Sequence, residues 1–151
     1  MKTDEYYWTK DDLEKLEVAN SMPEFLDMAF VILDRMPQPV VLVSGPISTG
    51  GRGSIAENLK AFAVAISEVK EKGNTVFNQL PFEDKFVELS KKSQLQYFRP
   101  ILDDFFLPIL KSGKISKIFF MPGWETSTGA KWEYEQAQKL GIEQALISET
   151  I

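Results

Sequence analysis

Two short apolar runs are each followed by a loop that contains glycine. The first run, Val40–Val43, leads into a glycine-rich loop at residues 44–53, and the second, within Lys117–Met121, stops at Pro122 and Gly123. A continuous apolar run of this length is typical of a parallel strand that is buried on both faces, and proline fits best at the end of such a strand. Each run therefore predicts a strand that ends in a loop.

A helical pattern follows each loop. Ser54 can cap a helix that carries apolar residues at intervals of three or four as far as about Glu71. After the second loop, Ser127 and Thr128 are suitable caps for a helix that begins near Thr128 and stops at Gly141. Strand carboxyl ends and helix amino-termini meet at one edge of a parallel sheet, where ligands bind. We therefore expect the two loops to form the lips of a small-molecule pocket.

The rest of the chain is predicted to be scaffold. The pattern predicts helices over Lys10–Asn20, Pro23–Met36, Phe82–Lys92 and Pro100–Lys111, with Pro108 bending or thinning the last, and further strands over Thr75–Asn78 and Gln144–Ser148. Strand, helix and strand in this order imply a right-handed parallel unit. The prediction is a single α/β domain, in which residues 1–38 are a helical extension and residues 39–151 form a parallel sheet of four to five strands flanked by helices.

The amino-acid composition limits the catalytic and metal-binding groups that the protein can use. The chain of 151 residues contains no cysteine and no histidine. This excludes disulfides, thiolate nucleophiles, Ser-His and Cys-His catalytic pairs and the HExxH metal site. An enzyme with this composition would use Asp, Glu, Tyr or Lys, and carboxylates are the expected acid–base and nucleophilic groups.

The charge and hydropathy patterns narrow the partners. A net charge of −5 and a pI near 4.9 disfavour a nucleic-acid polymer, because phosphate contacts need clustered Lys and Arg. A free nucleotide is compatible with this charge, since loop N–H groups and one arginine can hold a single phosphate. No apolar run approaches the roughly 18 residues that suggest a membrane span, and the first residues do not resemble a signal peptide. We expect a soluble, cytoplasmic protein with no membrane partner.

The glycine-rich loop does not match the common nucleotide-binding motifs. Residues 45–50 read GxxxxG, but Gly51 and Arg52 stand where a P-loop needs Lys and Ser or Thr, and the glycine spacing is not GxGxxG. The loop can still bring backbone N–H groups and Arg52 close to an anion or a sugar. The alternative is a tight turn without a ligand.

Glu133 is the candidate carboxylate of the second segment. It lies about one and a half turns into the predicted helix, and Gly129 leaves the space above that turn open. Glu135 projects about 200° away around the helix axis and is expected to be solvated. A single glutamate on a helix is usually a surface residue, so the position of Glu133 beside a strand-end loop is what makes it a candidate.

Both segments resemble the signature segments of the nucleoside 2-deoxyribosyltransferase-like superfamily, which includes the 2'-deoxynucleoside 5'-phosphate N-hydrolases. The resemblance covers roughly residues 40–147, and it is carried by Ser44, Gly45, Pro46, Ile47, Gly50, Gly51 and Arg52, and then by Pro122, Gly123, Trp124, Gly129, Glu133 and Ala137.

The resemblance implies a flavodoxin-like sheet and an enzyme that cleaves or transfers the N-glycosidic bond of a nucleoside or nucleoside 5'-monophosphate without a cofactor or metal. It implies that Glu133 attacks the anomeric carbon of the sugar and that the first loop contacts the sugar and base. In the phosphate-handling members a serine and a glycine bind the 5'-phosphate, which implies Ser127 or Thr128 together with Gly129.

One position departs from the family pattern. Where family members carry an aspartate at the start of the second strand, this chain has Ser116. Another family acid lies on the preceding helix, and Asp103 or Asp104 is the candidate for it. Without the strand aspartate, protonation of the leaving base is in question. The alternative function is therefore a nucleotide-binding or sensing module that has lost the chemistry, and a third is an interaction domain with an empty cleft.

The resemblance also implies a homo-oligomer, with a dimer as the default because two-fold closure is commonest. The aromatic residues Tyr6, Tyr7 and Trp8 on a terminal arm and the aromatic region Phe98–Phe106 would suit an interface. The alternative is that these side chains pack in the core of their own chain.

Overall fold

The computed structural model describes residues 2–93 and 99–147. In this part of the chain the strands are β1 (Val40–Ser44), β2 (Thr75–Val76), β3 (Ile115–Phe120) and β4 (Glu143–Leu146). The α-helices are α1 (Lys10–Val18), α2 (Met22–Arg35), α3 (Ile55–Glu71), α4 (Leu80–Ser93), α5 (Leu107–Lys111) and α6 (Thr128–Leu140). A π-helix, Ile101–Phe106, precedes α5, and a 3-10 turn, Trp124–Thr126, precedes α6.

The four strands form one parallel sheet in the order β2-β1-β3-β4. This order follows the flavodoxin-like arrangement, in which the ligand crevice lies where the chain turns from β1 towards β3. The expected α/β fold with a flavodoxin-like parallel sheet is confirmed. Because the strands are parallel, the loops after β1 and β3 lie side by side at the carboxyl edge of the sheet.

The two faces of the sheet are covered unequally. Val41 and Val43 of β1 face α3 in a small core, whereas Val40 and Leu42 face a larger core that contains residues of α1, α2, α4, the π-helix, α5 and α6. Alternate residues of a strand point to opposite faces, which explains this division along β1. The larger core lies on the same side of the sheet as Glu133.

The amino-terminal residues are fixed to the domain. Thr9 and Asp12 form a capping box at the start of α1, and Arg35 of α2 donates to Asp12 at 2.7 Å. Trp8 is 2% exposed and packs against Phe82 of α4, with the ring centroids 5.2 Å apart. Helices α1 and α2 occur near their predicted positions. The terminal aromatic residues Tyr6, Tyr7 and Trp8 pack on their own chain, and Trp8 is buried.

The helix predicted over Pro100–Lys111 is divided. The N–H of Leu107 donates to the carbonyl of Leu102, five residues earlier, and α5 begins with Pro108 in its first turn. Proline has no N–H to continue the α-helical bonds, so the wide π turn precedes it. The sequence predicted that Pro108 would bend or thin the helix, and the structure shows a change of helix type before it.

Two strands are shorter than predicted. The strand expected over Thr75–Asn78 pairs with β1 only at Thr75 and Val76. The closing strand begins at Glu143 and ends at Leu146, and Ser148 lies outside the described residues.

Within residues 2–93 and 99–147 no helix is long and apolar enough to cross a bilayer.

Candidate functional site

Glu133 lies in a small, partly enclosed pocket at the carboxyl edge of the sheet. Ser127 caps α6, because its side chain accepts from the N–H of Ala130 at 3.1 Å, and the helix then carries Glu133 inwards. The Glu133 side chain is buried, with the residue 6% exposed. Gly129 and Ala130, one turn earlier on α6, line the same pocket. The helix start predicted near Thr128 is observed.

The pocket perturbs the carboxyl group of Glu133. Burial raises its pKa from 4.5 to about 8, and the nearby charge of Glu83 adds to the rise. The Ser44 hydroxyl acts in the opposite direction, although its geometry falls short of a hydrogen bond. Within the described part of the chain, Oε2 of Glu133 and Oγ of Ser44 are both buried without a hydrogen-bond partner. Unpaired buried polar atoms are rare, so these two oxygens are available to a polar ligand.

Glu83 is the second carboxylate of this pocket, and the sequence analysis did not select it. It lies in the first turn of α4 and is 6% exposed. Burial raises its pKa from 4.5 to about 7, Asp84 adds to the rise, and a hydrogen bond from the Gln79 side chain opposes it. The available sequence signal was the position of Glu83 three and four residues before Phe86 and Val87, on an otherwise apolar stripe.

The rest of the pocket wall is largely apolar. The residues around the two carboxyl groups include Ile47, Phe62, Phe86, Val87, Ile101 and Phe106. The enclosed volume is about 40 Å³. That is room for one to three water molecules, whereas drug-sized ligands occupy pockets of about 300 Å³ or more. A nucleoside would therefore enter only if the pocket widens.

Direct hydrogen bonds connect the two loops beside this pocket. The N–H of Gly51 donates to Oγ1 of Thr126 at 2.8 Å, and the N–H of Thr128 donates to Oγ1 of Thr49 at 2.9 Å. Gly50 has a φ of +68° and lies so close to the Thr126 carbonyl that a Cβ atom would collide with it. Gly50 therefore serves the contact between the loops, which were predicted to face each other as lips.

Asn58 of α3 organises the first loop from inside. Its Nδ2 donates to the carbonyls of Ile47 and Gly50 at 2.9 and 3.1 Å, and its Oδ1 accepts from the N–H of Arg52 at 2.8 Å. The residue is 3% exposed. A buried asparagine that satisfies three loop groups holds the loop in one conformation. Nothing in the sequence pattern distinguished Asn58 from an ordinary polar helix residue.

The predicted site residues separate into groups. Gly45, Ile47, Ser127, Gly129 and Glu133 line the partly enclosed pocket, and Ser44 lies next to it. Pro46, Gly51, Arg52 and Pro122 instead line an open groove of about 910 Å³ beside α3. Gly50 and Thr128 lie at the contact between the loops, and the carbonyl of Gly123 accepts from Thr126 within the second loop. The charged residues of the groove, such as Glu57 and Lys60, are exposed, whereas the carboxyl groups of the smaller pocket are buried.

Trp124 packs against the body of the protein. Its ring stacks on Tyr134 of α6, with centroids 4.6 Å apart and an interplanar angle of 16°, and lies 5.3 Å from Phe120. These contacts fix the turn that connects β3 to α6. Trp124 therefore helps to place Glu133 through the backbone.

Two predicted acids do not reach the pocket. Asp103 and Asp104 are exposed on the π-helix, and Asp103 accepts from Arg99 at 3.1 Å. Their neighbours Ile101 and Phe106 face the pocket instead.

Ser116 is exposed near the amino end of β3 and donates to the carbonyl of Val40 at 3.2 Å. It lies four residues before the end of the strand, roughly 13 Å away along the chain. An acid at position 116 would thus lie far from Glu133.

The profile of the family described as Domain of unknown function (DUF4406) matches residues 39–145. The chain belongs to this family. Searches among curated proteins and among solved structures found no match. The region shared with the DUF4406 family contains both loops and both buried carboxylates, Glu83 and Glu133. Helices α1 and α2 precede it.

The pocket offers a pair of carboxyl groups. Within residues 2–93 and 99–147 no three acidic side chains converge in a manner that could hold a metal ion. Two coupled carboxyls in an apolar pocket titrate as a pair, so near neutral pH they share about one proton. Such a pair can supply one carboxylate and one carboxylic acid at the same time, which is the combination that glycosidic bond cleavage requires.

Proposed function

We propose that this protein is an enzyme that cleaves the N-glycosidic bond of a nucleoside or nucleoside 5'-monophosphate, either by hydrolysis or by transfer of the sugar to a second base. The observation that carries the proposal is the buried pair of carboxyl groups, Glu133 and Glu83, beside two facing loops at the carboxyl edge of a parallel sheet. The resemblance of both loops to the nucleoside 2-deoxyribosyltransferase-like superfamily supports the choice of substrate class.

Glu133 is the nucleophile in this proposal. In its ionised form, one carboxylate oxygen bonds to the anomeric carbon C1' while the C1'–N bond breaks and its electron pair goes to the base, which takes up a proton. Water or a second base then attacks C1' and releases Glu133. Oε2 is without a partner and is therefore available to the sugar. The Ser44 hydroxyl is positioned to favour the ionised form, because its presence lowers the pKa of Glu133.

The amino end of α6 is the proposed place for a 5'-phosphate. The Ser127 hydroxyl and Gly129 line the pocket at this end, where N–H groups and the helix dipole favour an anion. The N–H of Thr128 is already engaged by Thr49 of the first loop. A phosphate that takes this N–H would displace Thr49, so the parting of the loops and the binding of substrate would be coupled.

The competing function is a nucleotide-binding module without activity. The sequence argument for this alternative was that Ser116 stands where the family has an aspartate. Ser116 lies near the amino end of β3, so the loss of an acid at this position removes nothing from the pocket. This placement supports the enzyme. A binding module would give a higher melting temperature with a nucleotide while the nucleotide is recovered intact.

Release of free base tests the proposal. Wild type, Glu133→Gln and Glu135→Gln are incubated with a panel of ribo- and deoxyribonucleosides and their 5'-monophosphates, and free base is measured by liquid chromatography. Glu135 is exposed on the same helix and is the matched control. We expect wild type and Glu135→Gln to release base from at least one substrate and Glu133→Gln to release none. Equal inactivity of all three proteins, or equal activity, would refute the proposal.

The same proposal includes a cytoplasmic location and a homodimer. The location rests on the absence of cysteine, since a reducing compartment suits a chain without disulfides. The dimer rests on the superfamily resemblance.

A further inference from the structure

Glu83 and Glu133 reach one pocket from different elements. Glu133 is carried by α6, which follows β3, and Glu83 by α4, which follows β2 at the edge of the sheet. Both residues are 6% exposed and both line the same enclosed volume of about 40 Å³. A nucleophile in this space needs a proton donor on the side of the departing base.

We propose that Glu83 is this donor, a catalytic acid and base supplied by α4, and that Gln79 is the residue that positions it. The inference rests on the proposed function and names the group that this function lacks. The acids expected on the preceding helix, Asp103 and Asp104, are exposed and face away from the pocket.

The contact with Gln79 favours one oxygen of Glu83 as the carrier of the proton. Nε2 of Gln79 donates to Oε2 of Glu83 at 3.1 Å. The carbonyl oxygen is the better acceptor of a neutral carboxylic acid, so this contact favours the proton on Oε1. Gln79 is 2% exposed, and its backbone carbonyl accepts from the N–H of Glu83 at 3.1 Å. The side chain and the backbone of Gln79 therefore both fix the start of α4 and the orientation of the acid.

The surroundings keep Glu83 and Glu133 from both being ionised near neutral pH, because burial raises their pKa values to about 7 and about 8. Asp84 of its own helix adds to the raised pKa of Glu83, and the charge of Glu83 in turn adds to the raised pKa of Glu133 on α6. The other walls, from α4 and the π-helix, contribute Phe86, Ile101 and Phe106. Burial and these acidic neighbours disfavour two negative charges in one pocket, so near neutral pH the pair keeps about one proton, and the proposed reaction uses that proton on Glu83 while Glu133 is ionised.

The reaction balances with these two groups. Glu83 transfers its proton to a ring nitrogen or carbonyl oxygen of the base as the C1'–N bond breaks, and Glu133 forms an ester with C1'. Glu83, now a carboxylate, removes a proton from water, the water oxygen bonds to C1', and the ester bond to Glu133 breaks. Both carboxyl groups then return to their starting protonation states, as in retaining glycosidases.

The test compares two leaving groups. An ordinary 2'-deoxynucleotide needs protonation of its base, whereas a 7-methylated purine 2'-deoxynucleotide carries a positive charge and departs without it. Glu83→Gln is expected to lower base release from the ordinary substrate by about 10²- to 10⁴-fold and to leave release from the methylated one within a few-fold of wild type. Glu88→Gln, at an exposed position of the same helix, is the control, and melting curves verify that each variant is folded.

Gln79→Leu supplies a readout that a purely structural role would not change. Loss of the donated hydrogen bond raises the pKa of Glu83, so the alkaline limb of the pH profile of kcat/KM should move to higher pH. The assignment of Glu83 is overturned if Glu83→Gln affects both substrates equally or neither. If wild type releases base from no substrate at all, the proposed function fails, and the role of Glu83 fails with it.

Discussion

The burial of Glu133 predicts that the protein becomes less stable as the pH rises. Its pKa is 4.5 when exposed and about 8 in the folded protein, so the folded state keeps a proton that the unfolded state releases. Stability from this group is complete below about pH 4.5, falls between that value and about pH 8, and is lost above it. Replacement of Glu133 by Gln, which has the same shape and no charge, removes this dependence.

The size of the effect follows from the raised pKa. At about 1.4 kcal/mol per pKa unit, the full difference corresponds to an upper bound of about 5 kcal/mol. Glu83 titrates in the same pocket and shares the loss, so we expect Glu133→Gln to exceed wild type by about 2 kcal/mol at pH 8 and to match it near pH 5. For a domain of this size that gain is about 4 to 8 °C in Tm.

Thermal unfolding followed by circular dichroism at pH 5 and pH 8 measures the effect. Glu135→Gln, exposed on the same helix, controls for the general loss of a negative charge. The reasoning is refuted if wild type is as stable at pH 8 as at pH 5, or if Glu133→Gln gains no more at pH 8 than Glu135→Gln does.

Three further outcomes follow from the same structure. Trp8→Ala should cost about 3 to 5 kcal/mol in denaturant unfolding, because the buried ring packs on α4 and donates to the Asn78 carbonyl at 3.1 Å; a loss below about 1 kcal/mol would contradict this. Gly50→Ala should lower base release more than Gly53→Ala, because both glycines have positive φ but only a Cβ at Gly50 collides with Thr126; equal activity of the two variants would show that the contact between the loops is unimportant. Light scattering during size exclusion should give twice the chain mass of 17.2 kDa, and a single-chain mass that does not rise with concentration or added nucleotide would exclude the dimer.

The aromatic residues that suggested an interface belong mainly to the core. Trp8, Phe105 and Phe106 are buried within their own chain, and Phe98 lies outside the described residues. Sequence cannot distinguish an interface aromatic from a core aromatic, because both occur at apolar positions of helices. The dimer therefore remains a prediction from the family resemblance.

Local patterns were sufficient for the fold and for half of the site. Continuous apolar runs identify β1 and β3, and Ser127 and Gly141 identify the ends of α6, because these signals lie within a few neighbouring residues. They also place Glu133 behind a strand-end loop. The order of strands and the unequal covering of the sheet depend on contacts between distant segments.

The second half of the site required the tertiary structure. In the sequence Glu83 is one of several acids on a mixed helix, and only the packing of α4 against the π-helix turns it inwards. Asp103 and Asp104 are exposed on the segment Ile101–Phe106, whose apolar residues are buried. The family pattern suggested an acid on this helix, whereas the helical spacing of its apolar residues places both aspartates on the opposite face.

The most direct test of the central claim is the intact mass of the protein, quenched during reaction with a 2'-fluorinated 2'-deoxynucleoside 5'-monophosphate. Fluorine next to C1' destabilises the positively charged transition state, so a covalent sugar ester accumulates long enough to be observed. We predict that the mass of the wild-type protein increases by one fluorinated sugar phosphate, and that proteolysis assigns the increase to the peptide that contains Glu133. Glu133→Gln should show no increase. Release of base without any adduct on wild type, or an adduct that persists in Glu133→Gln, would contradict the assignment of Glu133 as the nucleophile.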